Sequence, residues 1–320
     1  MKFVEPHFEI IEQENGLDGI FKMITKAGFT CYRTEKELTP ESCERFTNTM
    51  INSGHYAMIE HGAVYLKMDW NTTDIAEKVS SIQYKQNRYS VVNYVQTGEN
   101  IMTAYVTTNY RVLVENGWIE DLKYLCDPTE YHEKRISVRF WMDRVGSQSV
   151  ERHRGYNGNS FAQESTRFVS YNKEKFGSEI AISVPHWTSE DELNETMANE
   201  NYVNEMMDIL EEFKNSTFYN INEHDKANTE FRKLCYWLMG NAMGEFIYMK
   251  LIECGMKAED ARSILPLDIN TEFVVTMYES DWKRFMKLRA YVTPTNRPHP
   301  DINKIASNLL NLFHERNLLA

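Results

Sequence analysis

Short runs in which apolar and polar residues alternate recur along the chain, and this period of two is typical of β-strands with one buried face. The clearest run covers residues 135–142, where Ile136, Val138 and Phe140 share one face. Runs of the same type cover residues 63–68, 88–95, 101–108, 179–185 and 271–278. We therefore predict a strand over each of these segments.

Between the strands, apolar residues recur with the spacing of amphipathic helices. Two helical stretches are predicted within residues 17–53, on either side of a turn at Thr39-Pro40, so that residues 1–50 form a helical extension. Ser189, with Glu192 three residues later, predicts the N-cap of a helix that runs towards residue 213. Further helices are predicted over residues 110–117, 143–152, 225–254, 280–289 and 301–314.

The order of these elements predicts the fold class. Strands precede, interrupt and follow the helices without regular strand–helix–strand alternation, which favours an α+β fold over a doubly wound sheet. We expect a core of mixed or antiparallel sheet, flanked by long helices over residues 189–255. No repeat or Pro/Gly-rich linker marks a boundary, so residues 1–320 are predicted to form one domain. Met239 and Met243 are interpreted as part of a core stripe.

The charge balance limits the partners of the chain. It carries 47 acidic and 35 basic residues, a formal net charge of −12. Broad binding to nucleic acid requires many Lys and Arg side chains facing phosphates, so this balance argues against a nucleic-acid partner. It remains compatible with a small phosphate site whose cations are concentrated in one cluster.

Several other classes are disfavoured by patterns that the sequence lacks. No apolar run approaches the roughly 20 residues of a membrane span, and the acidic first residues lack a signal-peptide pattern, so a cytoplasmic protein without membrane association is expected. The five cysteines are scattered and include no C-x-x-C pair, so neither a disulfide framework nor a metal site is expected. The glycine motifs of Rossmann and P-loop proteins are missing.

Residues 151–168 carry the densest candidate chemistry. Arg152, His153, Arg154 and Arg167 lie within 16 residues of one another, with Asn, Gln, Ser and Thr side chains between them. In an acidic chain such a cluster indicates an anion pocket, because arginine binds phosphate oxygens in bidentate fashion. A solvated basic turn is the alternative interpretation, and the cluster alone leaves both open.

The same segment resembles the signature of flavin-dependent thymidylate synthases, RHR followed by S-x-x-[EQ]-x-S-x-R-[YF]. The matching residues are Arg152, His153, Arg154, Ser160, Gln163, Ser165, Arg167 and Phe168. The spacing from RHR to the second serine is three residues longer than in the family, and the additional residues are assigned to GYNGN (155–159). Ala162 stands where Asn is usual, and SFAQES with its Gln163 resembles one branch of the family.

Other segments resemble the family in the same order. SGHYAMIEHG (53–62) resembles the segment that touches the flavin ring, with His55 as its histidine and Ala57 where Thr or Ser is usual. DARSILP (260–266) resembles the segment whose arginine, here Arg262, reaches the nucleotide. SDWKRFMKLRA (280–290) resembles the helix that ends in a catalytic arginine, here Arg289.

The resemblance implies a thymidylate synthase-complementing type of fold and a role for each matching residue. Arg289 is the implied catalytic residue. The residues implied to bind dUMP are Arg152, Gln163, Ser165, Thr166, Arg167 and Arg262. The residues implied to bind FAD are His55, Ala57, Arg152, His153, Arg154, Gln163, Ser280 and Arg284. Tyr278 aligns with a further polar contact to FAD.

The implied reaction is the methylation of dUMP to dTMP. FAD carries the hydride chemistry, NADPH reduces it, and methylenetetrahydrofolate supplies the one-carbon unit. No cysteine lies in a motif segment, so a cysteine nucleophile is not expected, and the resemblance gives Arg289 the task of stabilising negative charge on the uracil ring. The implied assembly is a homotetramer with sites at subunit interfaces.

Three other functions stay open at this point. A flavin-dependent pyrimidine nucleotide hydroxymethylase keeps the same ligands and changes the product. A non-catalytic nucleotide-binding paralogue keeps the nucleotide and loses the flavin. An RNA-binding module that uses the arginine cluster is disfavoured by the acidic balance of the chain.

Overall fold

The computed structural model of the chain describes residues 1–34, 36–72, 75–154, 158–174, 177–215 and 229–319. The chain divides into two compact units. The larger unit contains residues 7–141, 146–165 and 271–320, and the smaller unit contains residues 1–6, 142–145 and 166–270. The expectation of a single domain over the whole chain stays a prediction.

The larger unit contains most of the strands and the shorter helices. Its strands are β2 (His7–Ile11), β3 (Ala63–Asn71), β4 (Val91–Gln96), β5 (Ile101–Asn109), β6 (Arg135–Asp143), β7 (Ser160–Gln163) and β9 (Asn270–Tyr278). Its helices are α1 (Gly16–Tyr32), α2 (Pro40–Asn52), α3 (Tyr56–Ile59), α4 (Ile75–Gln86), α5 (Tyr110–Asn116), α6 (Arg144–Glu151), α11 (Glu279–Arg289) and α12 (Pro300–Glu315). A 3-10 helix covers Ile119–Tyr124.

Two sheets organise the larger unit. One has four strands in the order β2-β6-β9-β7, and the other has three strands in the order β3-β5-β4. The three-stranded sheet is antiparallel throughout, as are the pairs β2–β6 and β7–β9. Antiparallel sheets combined with helices outside any regular alternation confirm the predicted α+β class.

Helices α1 and α2 follow the sequence prediction closely. Thr39 accepts a hydrogen bond from the Ser42 N–H (3.2 Å), and Pro40 occupies the first helical position, where an N–H has no helical partner. Buried apolar residues of both helices join one core cluster. The helices approach closely, because a Cβ on Gly28 of α1 would lie 2.3 Å from the Phe46 ring of α2.

Two neighbouring strands of the four-stranded sheet each run directly into a helix. β6 continues into α6, and β9 continues into α11. Helix α6 ends one residue before Arg152, and α11 ends at Arg289. Two arginine-bearing helix ends that are distant in sequence therefore follow adjacent strands.

The smaller unit is mainly helical. Its strands β1 (Lys2–Val4) and β8 (Ala181–Ser183) pair in parallel. Its helices are α7 (Glu190–Ala198), α8 (Glu200–Asn215), α9 (Thr229–Glu253) and α10 (Ala258–Ala261), followed by the 3-10 helix Arg262–Ile264. Leu234, Leu238 and Tyr248 of α9 pack with Ile182 of β8 in its core.

Three predicted features differ from the structure. Residues 1–50 are not wholly helical, because β1 and β2 precede α1 and pair with strands that are remote in sequence. The helix predicted over residues 189–213 is broken into α7 and α8 at Asn199, whose backbone is extended and whose Oδ1 accepts the Asn201 N–H (2.8 Å). Met243 is 40 % exposed, so its assignment to a core stripe was wrong. Residues 225–228 of the predicted α9 start lie outside the described residues.

Among the described residues, no helix has both the length and the apolar character that crossing a bilayer requires. The cysteines Cys31, Cys43, Cys126, Cys235 and Cys254 are all free thiols.

We expect Gly28→Ala to lower the free energy of unfolding by about 1–3 kcal/mol, because the new methyl group overlaps the Phe46 ring although alanine is the better helix former. Gly240→Ala is the matched control, since no atom of the described residues lies within 4 Å of a Cβ at this position of α9. It should raise the same quantity by up to about 1 kcal/mol. Chemical denaturation followed by circular dichroism measures both, and changes of the same sign would contradict the packing argument.

Candidate functional site

The segment that follows α6 presents two arginines with a histidine between them. The His153 N–H donates to Val150 O (3.0 Å), so the last turn of α6 fixes the start of this segment. Arg152 and Arg154 are exposed, whereas His153 is half-buried. Among the described residues, no carboxylate lies within ion-pair distance of either guanidinium.

Arg289, at the end of α11, reaches this segment. Its Nε donates a hydrogen bond to Nε2 of His153 (2.9 Å). Asn303 of α12 fixes the backbone behind it by donating from Nδ2 to Arg289 O (2.8 Å) and Ala290 O (3.0 Å). Partial burial, together with the nearby Arg152 charge, lowers the pKa of Arg289. The structure therefore brings together three residues that the sequence placed in one site.

His153 is neutral at pH 7. Burial, and secondly the Arg289 charge, lower the pKa of its imidazole to about 4. Its ring lies edge-on to Phe285 of α11, with centroids 5.1 Å apart. Because Nε2 accepts a hydrogen bond, the proton of the neutral ring resides on Nδ1.

These residues concentrate positive charge, and no carboxylate among the described residues pairs with it. Arg289 lies close enough to Arg152 for the Arg152 charge to lower its pKa, and the His153 side chain beside it is a neutral imidazole. Like charges held together are unfavourable in isolation, so the arrangement is suited to an anion that both can bind.

The strand β7 carries the second half of the motif. Gln163 donates from Nε2 to Ser147 Oγ of α6 (2.7 Å), which ties the motif strand to the helix before Arg152. The Ser165 N–H donates to Cys31 O at the end of α1 (3.0 Å). Gln163 at the end of β7 and Ser165 two residues after it are thus each held by a hydrogen bond to a helix.

The residue directly before β7 bonds back to the RHR segment. Residues 155–157 lie outside the described residues. Asn159 donates from its backbone N–H to Arg154 O (3.4 Å) and from Nδ2 to His153 O. Gly158 has φ +78°, and a Cβ there would lie 2.1 Å from the Tyr89 ring, so this position requires glycine.

Three more predicted residues gather in the smaller unit. Arg262 donates from Nη1 to Thr166 Oγ1 (3.4 Å) and from Nε to Glu259 O (3.0 Å). Arg167 Nη2 lies 3.7 Å from Glu259 Oε2, and its guanidinium stands 5.6 Å from the centroid of Phe168. Arg167 and Arg262 therefore share Glu259 as a neighbour.

His55 and Ala57 lie on the exposed surface of the larger unit. His55 is the N-cap of α3, with its N–H bonded to Met50 O (2.9 Å). Both side chains are accessible to a ligand.

The α11 residues predicted to bind FAD have different surroundings. The Ser280 N–H donates to Glu133 Oε1 (3.1 Å), and the exposed Arg284 lies 3.6 Å from Asp281 Oδ1. Tyr278 is fully buried, and its hydroxyl bonds the carbonyl oxygens of Tyr89 (2.9 Å) and Thr107 (3.0 Å). The weak expectation of a flavin contact at Tyr278 was therefore wrong, because the hydroxyl already serves the core.

Sequence reasoning missed Arg135, whose buried side chain bonds residues of two motif segments. Arg135 is 7 % exposed; its Nη1 donates to Glu60 O (2.7 Å) and its Nη2 to Ser160 Oγ (2.9 Å). The Tyr278 ring lies 5.4 Å from its guanidinium. Ser160 is also buried, and its hydroxyl accepts the hydrogen bond from Arg135 Nη2. The alternation of β6 placed Arg135 on the polar face, so no sequence pattern indicated its burial.

His61 forms a second buried polar contact beside it. Its Nδ1 lies 2.8 Å from Thr276 Oγ1, which is itself 2.7 Å from Ser137 Oγ. Burial, and secondly the Arg135 charge, lower the pKa of His61 to about 3. His61 is therefore a neutral core histidine joining α3 to the four-stranded sheet.

Comparisons with known proteins give one family. The model of the family described as thymidylate synthase complementing protein matches residues 90–316, more than two thirds of the chain. No curated protein sequence matches the chain. The branch with Gln at position 163 stays a prediction.

Two crystal structures of the UMP/dUMP methylase PolB from Streptomyces cacaoi, bound with 5-Br dUMP and with 5-Br UMP, are similar to this chain. Each is 12 % identical to it, and the alignments cover 98 % of this chain and 93 % or 92 % of the other. The TM-scores are 0.41 and 0.40. Similarity at this level carries no argument about the site.

The neutral state of His61 generates a pH prediction. The folded pKa of about 3 lies below the ordinary value of 6.5, so the fold favours the neutral form. Its contribution is complete above about pH 6.5 and is lost as the pH falls from there towards 3. Below pH 6, we expect the free energy of unfolding of His61→Asn to fall less steeply with decreasing pH than that of the wild type. The difference in slope should be up to about 1.4 kcal/mol per pH unit.

Chemical denaturation at pH 7, 6, 5 and 4 measures this slope. His314→Asn, on the exposed side of α12, is the matched control and should keep the wild-type slope. A His61→Asn protein whose stability falls as steeply as that of the wild type would show that His61 does not carry the effect.

Proposed function

Since the chain belongs to the thymidylate synthase complementing protein family, we propose that it methylates dUMP to dTMP with FAD, taking the one-carbon unit from methylenetetrahydrofolate and using NADPH to reduce the flavin. The main observation behind the proposal is that Arg289 bonds a neutral His153 and lies close to the charge of Arg152. This concentration of positive charge occurs in a chain of net charge −12. An acidic protein that concentrates unpaired cations at one place is suited to bind phosphate groups there.

The residues present fit both implied ligands. The phosphate of dUMP and the pyrophosphate of FAD are anions, and Arg152 and Arg154 are exposed without an ion pair among the described residues. We assign FAD to His55, Ala57, Arg152, His153, Arg154, Gln163, Ser280 and Arg284. We assign dUMP to Arg152, Gln163, Ser165, Thr166, Arg167 and Arg262. When bound, FAD supplies the hydride chemistry that amino-acid side chains lack.

Arg289 performs the electrostatic part of the reaction in this proposal. C5 of uracil is a weak nucleophile, and negative charge on the ring at N3 and O4 makes it stronger. A guanidinium stays charged at neutral pH and presents several N–H donors to adjacent O and N atoms. Because Arg289 is half-buried, its charge acts there with less screening than in water.

A cysteine nucleophile is the main chemical alternative, and the cysteine next to the motif strand does not support it. The carbonyl of Cys31 accepts the Ser165 N–H, so this residue adjoins β7. Burial raises the pKa of its thiol to about 11, so almost no thiolate forms at neutral pH. Its Sγ contacts Met58 Sδ instead (3.6 Å).

The proposed assembly is a cytoplasmic homotetramer with sites at subunit interfaces. Apolar side chains on the surface of the smaller unit support an interface. Val203 and Met207 of α8 are 65 % and 61 % exposed, and Phe246 of α9 is 57 % exposed. Contact with another copy of the chain would bury them.

A hydroxymethylase is the second candidate, because the chain departs from the family pattern close to the proposed ligands. Ala57 is exposed and offers no side-chain hydrogen bond, and the loop between RHR and β7 is longer. The two functions give different products from dUMP, and mass spectrometry of the nucleotide distinguishes them.

We expect Arg289→Ala to retain FAD and to lower dTMP formation at least about 100-fold, because one donor to developing charge is lost. Lys287→Ala, on the exposed face of the same helix, is the matched control and should keep wild-type turnover. Radiolabelled methylenetetrahydrofolate with dUMP measures the product. Wild-type turnover in Arg289→Ala would remove Arg289 from the catalytic role.

We expect Arg152→Ala to weaken dUMP binding by roughly tenfold or more, because a charged hydrogen-bond donor to the phosphate is removed. Arg152→Lys should recover part of this loss, since it keeps the charge but not the bidentate geometry. Calorimetric titration with dUMP at two salt concentrations measures the effect. A dUMP affinity that is unchanged in Arg152→Ala would exclude the phosphate contact.

A further inference from the structure

We infer that His153 is a positioning residue for Arg289: its Nε2 lone pair holds the guanidinium in place without cancelling the positive charge. The inference rests on the proposed function, in which Arg289 faces the uracil ring. It adds to the contact with FAD that the family resemblance implies for His153.

The hydrogen bond defines which face of the guanidinium remains available. Arg289 donates through Nε to His153 Nε2 (2.9 Å). The two Nη groups have no partner among the described residues, so four N–H donors stay available on the far side. When Nε is held by His153, both Nη atoms remain on the side of the guanidinium that can face a ligand.

The acceptor of the Arg289 hydrogen bond is a neutral group, and this neutrality determines the charge at the site. Arginines inside proteins are most often held by Asp or Glu, and such a partner here would neutralise Arg289 and repel an anionic nucleotide. Imidazole accepts the same hydrogen bond and contributes no negative charge. Arg289 can therefore be fixed and remain a full positive charge towards the substrate.

The surroundings keep the imidazole in this role. Phe285 packs edge-on against the ring, and the neighbouring Arg289 charge opposes protonation of Nε2. The backbones of both partners are anchored by amides from other segments. Asn159 donates to His153 O, and Asn303 donates to Arg289 O. These contacts fix the backbone from which each of the two side chains extends.

Asn159 also contacts the backbone next to His153. Its backbone N–H bonds Arg154 O (3.4 Å), beside the contact of its side chain with His153 O.

Two substitutions distinguish a role of His153 in holding Arg289 from other roles of the imidazole ring. His153→Phe keeps the ring and its packing against Phe285 but loses the acceptor. His153→Gln offers Oε1 as a replacement acceptor for the Arg289 Nε–H. We expect dUMP affinity to fall roughly tenfold in His153→Phe and to recover most of the loss in His153→Gln.

A spectroscopic arm tests the hydrogen bond directly in the full chain without ligand. Nitrogen-15 NMR of histidine-labelled protein at pH 7 should show Nδ1 protonated and Nε2 unprotonated at His153, assigned by its disappearance in His153→Gln. The Nε2 resonance should shift in Arg289→Ala. An Nε2-protonated ring, or a resonance that does not move in Arg289→Ala, overturns the inference even if a variant folds poorly.

The outcomes also separate this inference from the proposed function. A dUMP affinity that is unchanged in His153→Phe overturns the positioning role, whether or not FAD affinity also changes. A wild-type protein that binds no dUMP overturns the proposed function, whereas the NMR arm still decides whether His153 holds Arg289.

Discussion

The hydrogen bond from Arg289 Nε to the neutral His153 is the interaction on which the candidate site depends. It joins two segments that are 136 residues apart in the sequence, at the ends of α6 and α11. Both helices continue neighbouring strands of one sheet, β6 and β9, so the fold sets the distance before any side chain contributes. The hydrogen bond then fixes the direction of the guanidinium, and the absence of a negative partner there, among the described residues, preserves its charge.

A buried polar layer supports this site from the core. Arg135 bonds Glu60 O and Ser160 Oγ, while His61 bonds Thr276 on β9. Burying such groups is unfavourable unless their hydrogen bonds are made, and the Nε of Arg135 has no partner in the part of the chain that the structure describes. This unfavourable free energy is consistent with a role of the buried polar layer in aligning the site. Its contacts fix the segment around His55 and the motif strand β7 to the same sheet.

Much of the fold was predictable because its elements have strong local patterns. Six segments with alternating residues are strands, and the turn at Thr39-Pro40 separates two helices as expected. The strands β1 and β2 were not predicted, since short strands are stabilised by partners elsewhere in the chain. The break at Asn199 depends on one side-chain hydrogen bond within a helical pattern.

The residues of the candidate site were proposed from the sequence, whereas their contacts were not. Resemblance to a family indicated Arg152 and His153 through the RHR motif and Arg289 through the segment 280–290. It did not indicate that His153 accepts a hydrogen bond from Arg289, because that contact requires the sheet order. The burial of Arg135 was hidden for a similar reason, since alternation along β6 assigns it to the polar face.

The most direct test of the account is the anaerobic oxidation of reduced flavin by the wild-type protein. The protein is reconstituted with FAD, reduced with NADPH, and mixed with dUMP and methylenetetrahydrofolate while the visible spectrum is recorded. The account predicts that oxidised flavin reappears only when both substrates are present, with one dTMP formed per flavin oxidised. A protein that takes up no FAD, or a reduced flavin that persists with both substrates present, would contradict it.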